Sequence, residues 1–225
     1  MASDEQNTVA GIDGARGEWV IAQFDGTSMR WTVAENVGAA IAATATCSTV
    51  GVDMPLSMPS LSYRASEIAA KKFLGRARSS IFHTPVAAVL TAQSYGEACA
   101  ISREVTGKAI SKQTWFLLPG IRAWREAHFD RERIVEVHPE CSFRVMHPET
   151  AFASKKSGRG AGQRLAALAS WIDPHNITEG LATLPEGPIL DDALDAAVAA
   201  WSAWRFGRGE HVCFGTSDAA DRIVA

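Results

Sequence analysis

Short apolar runs broken by Gly, Asp and Pro open the chain, and longer amphipathic stretches follow. Thr8 to Ile12 is an apolar run that ends on Asp13, and after Gly14-Ala15-Arg16-Gly17 the chain resumes as Trp19-Val20-Ile21-Ala22-Gln23-Phe24, rich in strand formers. Asp25-Gly26 is a strong turn signal, and Met29 to Val33 alternates as a third strand. Three strands joined this way predict an antiparallel meander. Glu35 to Thr46 is alanine-rich and predicts a helix. Thr49-Val50-Gly51-Val52 then predicts a buried strand ending on Asp53, with Pro55 opposing its continuation.

Residues 62–74 and 94–128 have helical patterns, separated by a loop from Ser79 to Pro85. Leu118-Pro119-Gly120 is expected to kink or break the second stretch. Arg133 to Val137 reads as another strand, closed by His138-Pro139. The segment around 153–162, rich in Lys, Arg and Gly, is expected to be a flexible basic loop, with a helix following to Trp171. TEGLATLPEGP is rich in breakers, a last helix is predicted from Asp192 to Phe206, and a strand near His211 to Phe214 precedes a loose tail. With no internal repeat and no evident linker, the expectation is one domain over residues 1–225 with a helical insertion at about 60–130.

Hydrophobic content of 47% and charged content of 21% are ordinary for a globular chain. No apolar run reaches the roughly 18 residues of a membrane span, and the polar, acidic start MASDEQNT lacks the order of a secretion signal. Cys47, Cys99, Cys141 and Cys213 are far apart with no CxxC pair, which argues against a zinc site or a disulfide framework and for a reduced, cytoplasmic protein. The net charge of −3 argues against a surface covered in nucleic-acid-binding charge. It is uneven, however. Arg64, Lys71, Lys72, Arg76 and Arg78 are opposed only by Glu67, and Lys155, Lys156, Arg159 and Arg164 have no acid among them. These two stretches are either solvated surface or phosphate contacts.

Acids punctuate the strands. Asp13 and Asp53 terminate apolar runs, and Glu136 lies one residue inside its own. An acid beside a buried strand end must be paired, hydrated or metal-bound, and ligands of open α/β sheets gather beyond the strand carboxyl ends. Any single one of these acids is more usually a turn former. In DDALDAAVAAW, Asp192 and Asp195 stand three apart on one helical face, with Leu194, Val198 and Trp201 as the core stripe. Asp191 is the expected N-cap and Asp192 complements the helix dipole, whereas Asp195 sits at the limit of the first turn. Carboxylates from separate elements suit Mg2+ or Mn2+, and two such ions activate a water and stabilise the leaving oxygen in phosphodiester hydrolysis.

The order strand–aspartate, meander, helix, strand–aspartate and late acidic helix resembles the ribonuclease-H-like superfamily, and the closing D-x-x-D-A helix is similar to that of Holliday-junction resolvases. GIDGARGEWV, VGVDMPLSMP, RSSIFHTP, TGKAISKQTW, VEVHPECSF, SKK and DDALDAAVAAW together resemble a bacterial and archaeal family of unknown function, described as predicted ribonuclease-H-like nucleases. The resemblance runs through nearly the whole chain in order. It implies an α/β fold with a mixed sheet, a three-strand meander plus parallel strands, flanked by helices. It also implies Asp13, Asp53, Glu136, Asp192 and Asp195 as catalytic acids, with Asp13, Asp53, Asp192 and Asp195 as metal ligands. A ribonuclease H proper has an acid on its first helix, for which Glu35 is poorly placed. Arg16, Lys112, Lys155 and Lys156 are candidate phosphate contacts, and His138 is a candidate to orient a water.

The leading expectation is therefore a Mg2+- or Mn2+-dependent nuclease acting on DNA or RNA. In this reading one ion lies between Asp13 and Asp53, and a second is shared with Asp192 or Asp195. A non-catalytic binding module on the same fold is the alternative, favoured by the negative net charge. An ATP-binding phosphotransferase related to actin and the sugar kinases is a third reading, for which 225 residues leave little room.

Overall fold

The computed structural model describes residues 8–216 and 221–225. The amino-terminal MASDEQN, and residues 217–220 of the expected tail, lie outside the described residues. Contacts group the chain into two compact units, one of residues 8–53, 129–212 and 224–225, the other of residues 54–128, 213–216 and 221–223. Among the described residues no helix is long and apolar enough to cross a membrane.

The first unit is built on a five-stranded mixed sheet in the order β3-β2-β1-β4-β5. β1 (Val9–Ala15), β2 (Glu18–Phe24) and β3 (Met29–Ala34) form the predicted antiparallel meander. The first hairpin is closed by Arg16 (φ 52°) and Gly17 (φ 96°), both left-handed, as a two-residue turn of this twist demands. Asp25 closes the second by accepting the N–H groups of Thr27 and Ser28. β4 (Thr49–Val52) and β5 (Ile134–Glu136) then add in parallel. α1 (Val37–Ala43) is shorter than its alanine-rich stretch: Asn36 caps its start by accepting from Ala39 N–H, and Thr44 caps its end.

α5 (Pro139–Met146), α6 (Gly158–Leu168), α7 (Pro174–Ala182) and α8 (Leu190–Gly207) complete this unit. α8 lies across β1, β2 and β4 and is buried continuously over residues 193–203, far beyond the Leu194, Val198 and Trp201 stripe. Backbone-to-backbone packing makes this possible. A Cβ at Gly11 would overlap the carbonyl oxygen of Ala196, and one at Gly51 that of Ala199. Glycines on two neighbouring strands thus meet the alanines of DALDAAVAA, and the helix settles against the sheet. Trp31 Nε1 donates to Ala193 O (2.9 Å) and anchors its first turns.

The structure corrects several local expectations. The basic segment is not all loop: Ser157 caps α6 by accepting from Gly160 N–H, and the helix runs through Gly158, Gly160 and Gly162. Gly160 is needed there, since a Cβ would overlap the backbone of Ser154. The breaker-rich TEGLATLPEGP contributes half of α7, whose start is set by Asp173 as cap and Pro174 in the first turn. The cap of α8 is Ile189, not Asp191; Asp192 accepts the Ile189 N–H at 3.1 Å. The tail is not wholly loose, for β7 (Arg222–Val224) pairs with β6 (Cys213–Gly215).

The second unit contains α2 (Ala65–Leu74), α3 (Tyr95–Thr106) and α4 (Lys112–Glu126). The 94–128 stretch breaks at Gly107 (φ 74°), and not at Pro119, which lies inside a continuous α4. Gly107 wins because a left-handed residue ends a helix without side-chain cost, its N–H bonding Arg103 O at 2.9 Å.

A candidate acidic site at the strand ends

The sheet register brings three acids together. Ile12 pairs with Val52, and Asp53 N–H continues the ladder by donating to Ile12 O (2.9 Å). Val52 pairs with Glu136, and Val137 N–H donates to Val52 O (2.9 Å). Asp13, Asp53 and Glu136 therefore stand at the adjacent carboxyl ends of three parallel strands. Asp195, one turn into α8, joins them through the close helix–sheet contact described above. Asp13 and Glu136 are 7% exposed and Asp195 2%.

Such crowding of acids is costly, and their protonation equilibria record it. Burial raises the Asp13 pKa well above the usual carboxylate value, and the charges of Asp53 and Asp195 raise it further. Burial, and then Asp195, push Asp53 up to about 8, while Lys155 and a hydrogen bond with the Asp13 carboxyl pull it down. Two carboxyl groups in hydrogen-bonding reach cannot both be ionised comfortably. Asp195 is raised to about 6, by burial against the lowering effect of Lys155. Burial also raises Asp192, opposed by its hydrogen bond from Ile189 and by the cations Lys155 and Arg16.

Lys155 is the counter-charge. Its Nζ donates to Asp195 Oδ2 at 2.5 Å and lies 3.8 Å from Asp191 Oδ2. Burial alone would lower the lysine pKa, but Asp195, Asp13 and Asp53 outweigh it and the net shift is upward. The segment carrying Lys155 is held by Arg164, whose Nη1 donates to Ala153 O (3.0 Å) and Gly160 O (3.1 Å) and whose Nη2 donates to Glu140 (2.6 Å). Asp195 Oδ1 is buried with no hydrogen-bond partner. Among the described residues no three His, Cys, Asp or Glu side chains are grouped so as to hold a metal ion.

Of the candidates read from the sequence, Asp13, Asp53, Glu136, Asp192, Asp195 and Lys155 form one interacting set, and Arg16 acts on it from the hairpin turn. Lys156 is exposed on the same segment as Lys155. Lys112 belongs to the second unit, where it opens α4. Two cations of the basic stretches are structural: Arg164 is buried on Glu140, and Arg64 is buried on Glu67 at 3.7 Å. Sequence reasoning missed Glu140 and Cys141, in the first turns of α5. Glu140 anchors Arg164, and the Cys141 thiol is pushed up by burial and then by Glu140 and Asp53. The Pro139 signal for a helix start directly after β5 was the available clue.

Residues 11–220 match the family described as "protein of unknown function (DUF429)". The chain belongs to this family. The match spans all five acids, Lys155 and both units. No curated protein and no solved structure matches the chain.

Proposed function

We propose that this family member is a divalent-metal-dependent nuclease on a ribonuclease-H-like fold, hydrolysing phosphodiester bonds of DNA or RNA. The observation that carries the reading is the Asp13–Asp53 carboxyl pair at adjacent parallel strand ends beside Asp195, where burial and mutual repulsion raise both pKa values and a bound cation would relieve the crowding. The meander followed by parallel strands supports the fold assignment, with residues 54–128 as an insertion.

The donor set suits Mg2+ or Mn2+. Carboxylate oxygens are hard ligands, and Mg2+ keeps several waters while using one or two carboxylates, which Asp13 and Asp53 supply. Bound there, such an ion would generate a nucleophilic water and stabilise charge on the phosphate. Asp53 is partly exposed, so the pair opens to solvent. The place read from the sequence for a second ion, near Asp192 and Asp195, is served by the Lys155 ammonium. With its side chain 37% exposed, Lys155 fixes Asp195 with one donor and presents others to a phosphate oxygen. Arg16 and Lys156, both exposed, contribute charge along the backbone of the nucleic acid.

The test is cleavage of single-stranded, duplex, hybrid and branched substrates in Mn2+. Metal-dependent cleavage supports the reading. No cleavage of any substrate, with metal binding intact, replaces it with the non-catalytic binding module.

A further inference from the structure

The stretches RSSIFHTP and TGKAISKQTW take no part in the acidic site. Both fall in the second unit, where they line a single cavity of about 330 Å3 together with Tyr63 and Lys71. No Asp or Glu lines it, whereas Lys71 and Lys108 do, along with several hydroxyls. A cavity with cations and no carboxylate selects an anion.

Three further observations place the anion. The first turn of α4 opens on the cavity: Ser111 caps the helix by accepting Thr114 N–H (3.0 Å), and Ser111, Gln113 and Thr114 all line the wall. The N–H groups of Lys112 and Gln113 precede the first intrahelical bond and point along the positive end of the helix dipole. Thr84, which also lines the wall, is 2% exposed; its N–H donates to Glu67 Oε1 (2.9 Å), but its buried Oγ1 has no hydrogen-bond partner. Such a hydroxyl is a cost to the free protein that a ligand oxygen removes. His83 Nδ1 is 3.1 Å from Glu67 Oε2, and its ring stacks on Tyr63 with centroids 3.9 Å apart. Glu67 is itself 2% exposed and paired with Arg64, so the imidazole is held with Nε2 left for a ligand.

The volume lies in the range of small-molecule pockets and exceeds what inorganic phosphate fills, and Phe82, Val86 and Ile110 add apolar wall. We propose that this cavity is a binding site for a small phosphomonoester. Its phosphoryl group meets Lys71, Lys108, Thr84 and the α4 amino terminus, and its organic part rests on the apolar wall. The site is independent of the acidic cluster and of the nuclease reading.

The test is calorimetric titration of the full chain, in chelator, with adenosine 5′-monophosphate, ribose 5-phosphate, inorganic phosphate and adenosine. Saturable one-to-one binding of at least one ester, tighter than inorganic phosphate and absent for adenosine, is expected. Lys71→Ala and Lys108→Ala, at accessible positions, each weaken it about tenfold, the scale of one charge-assisted contact. Thr84→Val weakens the ester and raises the melting temperature of the free protein, a pairing that a merely structural hydroxyl would not give. The proposal is overturned by no ester binding at millimolar concentration, by inorganic phosphate or adenosine binding as well as the esters, or by unchanged affinity in the lysine variants.

Discussion

Lys155 Nζ stands 2.5 Å from Asp195 Oδ2, so the charge that neutralises the most buried acid of the cluster arrives from a segment forty residues earlier in the chain. The pair is cooperative with its surroundings. Arg164 pins the segment, Gly160 lets its backbone approach α6, and Asp195 is carried inward by a helix lying on glycines.

Lys155→Met removes that counter-charge and leaves buried carboxylates without it. A fully buried pair broken on one side costs roughly 3–5 kcal/mol, and with Lys155 more than a third exposed the expected loss is about 2 kcal/mol at pH 8. The loss shrinks at pH 5, below the Asp195 value of about 6. Adding Asp195→Asn restores much of the stability. Denaturant titrations of the single and double variants check this, and a double variant as unstable as Lys155→Met would contradict it.

The raised carboxyl groups also set the pH dependence. Their folded-state pKa values lie above the unfolded ones, so between about pH 4 and pH 8 the folded protein holds more protons. Their stabilising contribution is complete below about pH 4 and lost as pH rises through about 6 for Asp195 and about 8 for Asp53. Metal-free protein is therefore expected to lose stability from pH 5 to pH 8.5, with Asp53→Asn flattening the upper part of that fall. Equal slopes in wild type and variant would remove Asp53 from the cause.

Divalent metal should reverse this penalty, because it binds the folded pair and not the unfolded chain. At about 100 times its dissociation constant it contributes roughly 2.7 kcal/mol. Melting curves in Mg2+ or Mn2+ against chelator make the comparison, and identical curves would argue against a metal at Asp13 and Asp53.

Two glycines of α6 separate packing from propensity. Gly162 has open space where a Cβ would stand, so Gly162→Ala is expected to stabilise by about 0.5–1 kcal/mol. Gly160→Ala forces a Cβ into the Ser154 backbone and is expected to destabilise by about 1–3 kcal/mol or more, loosening the Lys155 segment. Thermal denaturation of the two variants should give opposite signs.

The same glycines mark where the sequence was legible and where it was not. The meander, β4 with Asp53, β5 with Glu136 and most of α8 follow from local alternation, turn residues and an alanine-rich run. The first half of α6, and α7, hid behind Gly158, Gly160, Gly162 and Gly180, which read as breakers. In the fold Gly160 admits the Ser154 backbone and Gly180 admits Met29 O and the Trp31 ring, so tertiary approach, not local freedom, explains these two. The five acids stood out because Asp53 and Glu136 fall at the ends of their strands, Asp13 lies just before the Gly14–Gly17 turn, and Asp192 and Asp195 fall in the first two turns of α8. The Lys155–Asp195 pair was not, because no local pattern links residues so far apart, and a basic stretch looks the same whether it faces solvent or a buried carboxylate.

The most direct measurement of the central claim is cleavage by Asp13→Asn beside wild type, in Mn2+, on the same panel of nucleic acids. Asparagine keeps the size of the side chain and most of its hydrogen bonding while removing the charge that would hold the ion. Asp173→Asn, at the cap of α7 where asparagine serves as well as aspartate, is the control. Cleavage abolished in a folded Asp13→Asn, and retained in Asp173→Asn, is the predicted result. Wild-type cleavage by Asp13→Asn would contradict it.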